Sequence, residues 1–117
     1  MSGRILFCGA RAWTDSAAVL DAMLQESPDV VIEGSAKGAD SIARDIAKKL
    51  GIVVLEFPAN WDLYGRSAGF IRNQQMLDEG KPDKVIAFQF YLAESKGTAD
   101  MIKRAKKAGI PVRVVMA

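Results

Sequence analysis

A chain of 117 residues with a formal charge of +2, half of it apolar, can bury one core and carries no run of eighteen apolar residues that could span a membrane. Arg4 and Arg11 bracket only six residues near the start, too few for the apolar stretch of a secretory signal, so a cytoplasmic protein with a single domain over residues 1–117 is expected. Histidine is absent and cysteine occurs once, which excludes a Ser-His-Asp triad, an imidazole base, histidine-ligated zinc, an internal disulfide and a Cys-x-x-Cys knuckle, and leaves acid–base work to carboxylates or, less commonly, lysine or tyrosine.

Arg4-Ile5-Leu6-Phe7-Cys8-Gly9 reads as a short apolar strand ending at Gly9-Ala10-Arg11, with Cys8 a small thiol that packs. Thr14 or Asp15 can cap a helix running to about Gln25, whose buried side would use Val19, Leu20, Met23 and Leu24. Pro28 and Asp29 close that unit, and the β-branched run Asp29-Val30-Val31-Ile32 predicts a second, buried strand.

The turn that follows, Glu33-Gly34-Ser35-Ala36-Lys37-Gly38-Ala39-Asp40, is the clearest junction in the chain. After it, apolar residues at Ala39, Ile42, Ala43, Ile46, Ala47 and Leu50 recur with helical spacing until Gly51 stops them. Gly34 and Gly38 permit a close approach of backbone to a ligand, and the free N–H groups that open a helix favour an anion there. The turn has neither the Walker A order nor Gly-x-Gly-x-x-Gly, so a tight turn with Asp40 as a helix cap is the plainer alternative.

Ile52 to Phe57 predicts a third strand, ended by Pro58. The stretch from Pro58 to Gly69 is too polar and glycine-rich for a strand and reads as a functional loop. A helix from about Ala68 to Glu79 would place Gly69, Arg72, Asn73 and Met76 on one side, either as ligand contacts or as a solvated face. Lys84 to Phe88 is a fourth strand, and Phe90-Tyr91-Leu92 in the following loop suggests a ligand wall or a contact between subunits. Lys96-Gly97-Thr98 opens a last helix packed through Met101, Ile102, Ala105 and Ala108 and stopped by Gly109 and Pro111, before a fifth strand, Val112 to Val115. Its Lys103, Arg104, Lys106 and Lys107 suit a solvated face that complements the helix dipole better than a nucleic-acid stripe.

Strands alternating with helices across short turns predict an α/β, Rossmann-like three-layer sandwich, with about five mainly parallel strands and helices on both faces. Ligands of such sheets bind outside the carboxyl ends of the strands. There the loops after strands one to four would gather Arg11, Trp13, Lys37, Trp61, Arg66, Arg72, Lys96 and Thr98 on one rim, each loop contributing a cation. Cations with aromatic faces suit a ligand having both a base and a phosphate.

Four segments carry a family resemblance: Gly9-Ala10-Arg11-x-Trp13-Thr14-Asp15; Gly34-x-Ala36-Lys37-Gly38-Ala39-Asp40; Ala59-Asn60-Trp61-x-x-Tyr64-Gly65-Arg66-x-Ala68-Gly69-x-x-Arg72-Asn73-x-x-Met76; and Ser95-Lys96-Gly97-Thr98. In this order, over nearly the whole chain, they resemble the YspA-related branch of the SLOG superfamily, which also includes the LOG phosphoribohydrolases and the DprA DNA-processing proteins. The resemblance implies a Rossmannoid fold with a pocket for a nucleotide or nucleotide-derived ligand built by these segments.

LOG enzymes cut an N-glycosidic bond with an arginine in a motif similar to Arg72-Asn73-x-x-Met76 and a glutamate three residues after the threonine of a Pro-Gly-Gly-x-Gly-Thr motif. Here Met101 stands at the glutamate's position and Glu94-Ser95 replaces the diglycine, while Asp100 lies about 100° away around the helix. Asp40 or Glu33 would have to supply the carboxylate.

The favoured expectation is therefore a binder of a phosphate-containing, nucleotide-derived small molecule. Arg11, Lys37 and Arg72 would hold phosphate, Trp13 or Trp61 would stack, and Gly9, Gly34, Gly38, Asp40, Arg66, Asn73, Gly97 and Thr98 would complete the pocket. The alternatives are an N-glycosidase using Asp40 and Arg72, and a DprA-like single-strand DNA binder, which the small net charge disfavours. No cofactor, metal or membrane partner is expected, and the assembly anticipated is a homodimer or tetramer through the loop around Phe90 or an exposed helix face.

Overall fold

The computed structural model describes residues 3–90 and 95–117. Its strands are β1 (Arg4–Gly9), β2 (Val30–Glu33), β3 (Val53–Glu56), β4 (Lys84–Gln89) and β5 (Val112–Met116), and its helices α1 (Ser16–Glu26), α2 (Ala39–Lys49), α3 (Trp61–Tyr64), α4 (Ala68–Gln75) and α5 (Lys96–Lys107). The strands form one sheet in the order β3-β2-β1-β4-β5, and every pair is parallel. The fold is the Rossmann-like α/β sandwich that the alternation of strands and helices predicts.

Parallel strands covered on both faces must be apolar on both, and the central pair shows it: Ile5 to Cys8 and Val85 to Phe88 are buried without interruption. On one face Ile5, Phe7, Val31, Ile86 and Phe88 pack with Val19, Ala22 and Met23 of α1 and Ala39, Ala43 and Ala47 of α2. On the other, Leu6, Cys8, Ile32, Val85 and Ala87 pack with Met76, Leu77, Met101 and Ala105 beneath α4 and α5. Each large side chain so buried contributes about 1.5–3 kcal/mol relative to exposure. The edge strands are less enclosed, as Val53 and Val114 show.

Local chemistry sets most element ends. Asp15 rather than Thr14 caps α1, its Oδ1 accepting the Ala18 N–H at 3.1 Å. The expected burial of Leu24 fails, and Leu50, the last apolar residue of the spacing that marks α2, is exposed as well. Leu24 sits one residue, hence about 100° of helical rotation, past buried Met23, and Leu50 is the cap of α2 beyond its packed turns.

The stretch after Pro58 is more ordered than the expected loop. Asn60 Oδ1 accepts the Leu63 N–H at 3.0 Å and caps the single turn of α3, which passes through a 3-10 turn, Gly65–Ser67, into α4. The helix expected over 68–79 begins where predicted, but its last turn, Met76–Gly80, is a π turn that buries Met76, Leu77 and Gly80.

Candidate functional site

From β1 the sheet grows one way through β2 and β3 and the other way through β4 and β5. The connections leaving β1 and β4 therefore diverge and open a crevice at the carboxyl ends of these strands. A hollow of about 160 Å³ occupies that place. Cys8 and Gly9 of β1 line it, with Arg11 after β1, Ala36 and Asp40 at the start of α2, Ser95, Gly97 and Thr98 at the start of α5, and Trp61, Arg66, Gly69, Phe70, Arg72, Asn73 and Met76 from the segment between β3 and β4.

Arg72 is held from two sides. Its Nη1 donates to the Gly34 carbonyl and its Nε donates to Asn73 Oδ1 at 3.1 Å. Asn73, almost fully buried, donates through Nδ2 to the Gly97 carbonyl at 3.1 Å and to Asp100 Oδ2 at 3.0 Å, so one amide joins α4 to the first turn of α5. Arg11 lies over the Trp61 ring, its Cζ 5.8 Å from the centroid. The wall thus carries three guanidiniums, while Asp40 is the carboxylate among its lining residues.

Asp40 is 4% exposed and its Oδ2 accepts the Gly34 N–H at 3.0 Å. Burial raises its pKa to about 6, against the opposing pull of Arg72, the Gly34 and Ala36 N–H groups and Arg11. Burial likewise draws Arg72 down, with Asp40 opposing. The Cys8 thiol on the floor is pushed up out of its usual range by burial and then by Asp40, which leaves it inert at neutral pH.

The raised Asp40 pKa has a measurable sign. A carboxyl that binds its proton more tightly when folded stabilises the fold below its unfolded pKa of about 4, and that contribution is lost as pH rises through about 6. Denaturant titrations from pH 4 to pH 7 are expected to show Asp40→Asn gaining on the parent chain by up to about 3 kcal/mol, since one pKa unit corresponds to 1.36 kcal/mol. An unchanged difference across that range would mean that Asp40 titrates normally.

The structure brings together Gly9, Arg11, Asp40, Trp61, Arg66, Arg72, Asn73, Gly97 and Thr98 as expected from the sequence, and sets others apart. Trp13 is 2% exposed, tilted against Phe88 and Phe90 at 5.5 and 5.3 Å, with Nε1 donating to the Asp15 carbonyl at 3.0 Å. Its ring belongs to the core and offers no face to a ligand.

Lys37 and Lys96 are exposed and off the lining, so the cations come from the connections after β1 and β3 alone rather than from four loops. Gly34 lies beneath Arg72, and Gly38 backs onto Ala10 and Arg11, so both shape the wall without facing the hollow. Glu33 is buried outside the lining, and Asp100 is turned to Asn73 and Arg104. Of the loop after β4, Phe90 is half-buried against Trp13, while Tyr91 and Leu92 fall outside the described residues. Cys8 and Phe70 were not legible as wall residues: a thiol inside an apolar strand and a phenylalanine on a helix are core residues by pattern.

Comparison with known proteins agrees with this fold. The family described as YAcAr (YspA, cpYpsA-related SLOG family) matches residues 3–64. The Gene 61 protein of Mycobacterium phage D29 is 38% identical, over 93% of this chain and 93% of its own. DNA processing protein A (DprA) from Streptococcus pneumoniae shares the fold with a TM-score of 0.56 at 15% identity, covering 95% of this chain, which spans 58% of that structure.

Proposed function

The chain belongs to the YspA, cpYpsA-related SLOG family, and from that membership and the pocket we propose that it binds a nucleotide or nucleotide-derived small molecule through its phosphate. The observation that carries the reading is the convergence of Arg11, Arg66 and Arg72 with an exposed indole, Trp61, around one crevice. Guanidiniums recognise phosphate through paired, charge-assisted hydrogen bonds, and the opening turn of α5 adds the Gly97 N–H and the Thr98 hydroxyl, the Thr98 N–H being taken by Ser95 Oγ. The hollow is smaller than the roughly 300–1,000 Å³ of sites that enclose a whole drug-sized ligand. It suits the sugar-phosphate end, with the base outside against Trp61.

The test is thermal unfolding with AMP, cyclic AMP, NAD and ADP-ribose. A ligand at a hundredfold excess over its dissociation constant is expected to add about 2.7 kcal/mol of stability. If none of a broad phosphate-bearing panel moves the unfolding curve, the reading fails.

One observation supports a second reading, N-glycosidic hydrolysis: Asp40, a carboxyl with raised pKa, lies in the same wall as Arg72. Met101, where the LOG glutamate would stand, is fully buried. Hydrolysis would release free base from AMP, NAD or ADP-ribose, and Asp40→Asn would abolish it while Asp100→Asn would not. DNA binding has less support, because Arg104 in the basic half of α5 is engaged by Asp100 at 2.7 Å and Gln74 at 3.0 Å.

A further inference from the structure

Glu33 ends β2 and Glu56 ends β3, and the two are register partners across parallel strands, so their side chains share a face. Glu33 is fully buried, and its carboxyl abuts that of Glu56. Glu33 Oε1 accepts the Ser35 N–H at 2.7 Å, whereas Oε2 has no donor among the described residues. Two carboxylates are both acceptors, and only a proton between them turns this contact into a bond.

Ser35 clasps both acids: besides its N–H on Glu33, its Oγ donates to Glu56 Oε2 at 3.0 Å. It does so from the left-handed region, at φ 59°. The residue before it is Gly34, whose N–H is held by Asp40 and whose carbonyl is held by Arg72.

We propose that Glu33 and Glu56 hold one proton between them, and that this proton keeps the turn from Gly34 to Gly38 in the shape that positions Asp40 and Arg72, making the pocket sensitive to mildly alkaline pH. Burial supports it by placing Glu33 at about 8 against the opposing Ser35 N–H, with Asp40 and Glu56 adding to the rise. The charged groups that bear on the pair are Asp40, Arg44 and Lys48 of α2 and Arg72 of α4. Lys48 Nζ and Arg44 Nη1 lie 3.6 and 3.8 Å from Glu56, holding the charge on that partner and the proton on Glu33. Once Glu33 ionises, two adjacent anions repel, and Glu56, partly exposed beside its cations, is the one free to leave. Ser35 then loses a partner.

Carboxyl-carbon NMR on glutamate-labelled, ligand-free protein tests this independently of any nucleotide. One glutamate is expected to titrate near 8 and to disappear in Glu33→Gln. Across that transition the amide protection of Gly34, corrected for intrinsic exchange, is expected to fall roughly tenfold or more in the parent chain and to stay level in Glu33→Gln, whose amide supplies the missing donor. Glu56→Gln is the second variant, in which Glu33 should titrate lower by about one pH unit or more. A Glu33 resonance that titrates in the ordinary carboxylate range, a titration unmoved by Glu56→Gln, or protection at Gly34 equal on both sides of the transition would each overturn the proposal.

Discussion

Gly38→Ala is expected to lose about 3 kcal/mol or more of folding stability in urea titrations. Gly38 sits at φ 78° and ψ −127°, a region essentially closed to residues with a β-carbon. A methyl there would also collide with the Ala10 carbonyl oxygen and would lie 2.6 Å from that of Arg11, both backbone atoms that cannot swing aside. The joint is where β1's exit meets the opening of α2, with the Ala39 N–H donating to the Ala10 carbonyl at 3.4 Å. The collision is therefore expected to displace the Arg11 backbone as well as to cost stability. Gly97→Ala is the contrast: no described atom lies within 4 Å of its β-carbon position, and the residue is helical, so stability should hold or rise by up to about 1 kcal/mol. Equal stability in both variants would show that the joint tolerates movement and that the crevice wall is not built around it.

Arg72→Met is expected to weaken nucleotide-dependent stabilisation, lowering affinity for any phosphate ligand found in the thermal panel by roughly 10- to 150-fold, the range set by hydrogen bonds to charged groups of about 1.5–3 kcal/mol. The loss has two parts. A guanidinium leaves the wall, and the groups that it served, the Gly34 carbonyl and Asn73 Oδ1, lose their donor. Leaving buried acceptors unpaired costs about 1–3 kcal/mol of stability. Arg72→Lys should restore charge without the planar fork and so recover only part of the affinity.

A spectroscopic consequence separates position from mere charge. Arg72 opposes the rise of the Asp40 pKa, so its removal should move the Asp40 titration above about 6, and carboxyl NMR reads this directly. If calorimetry gives Arg72→Met the same ligand affinity as the parent chain, the phosphate does not sit against α4.

The fold was legible because its signals are local. Buried parallel strands must be apolar on both faces, and so Arg4 to Gly9 and Lys84 to Phe88 stand out as short unbroken runs between turn residues. Helix caps are equally local: Asp15 Oδ1 meeting the Ala18 N–H at 3.1 Å joins residues only three apart. Less regular pieces were harder. The single turn of α3 and the π turn after Gln75 arise from capping and packing that no 3.6-residue period encodes.

The sequence by itself determined the layers, the strand direction and the segments that carry the motifs, because each follows from spacing along the chain. Only the tertiary structure decided which of their side chains meet. Trp13 and Trp61 are the same residue type in equally motif-like settings, yet one is enclosed by Phe88 and Phe90 and the other stands under Arg11 at the crevice. Lys37 and Arg72 each stand three residues after a glycine in functional-looking segments, and the difference lies in what surrounds each. Asn73 Oδ1 and the Gly34 carbonyl hold Arg72 inward, while Lys37 projects from a turn into solvent. Orientation of this kind depends on partners distant along the chain, Gly34 with Arg72 and Glu33 with Glu56, and such pairs leave no periodic trace in either segment alone.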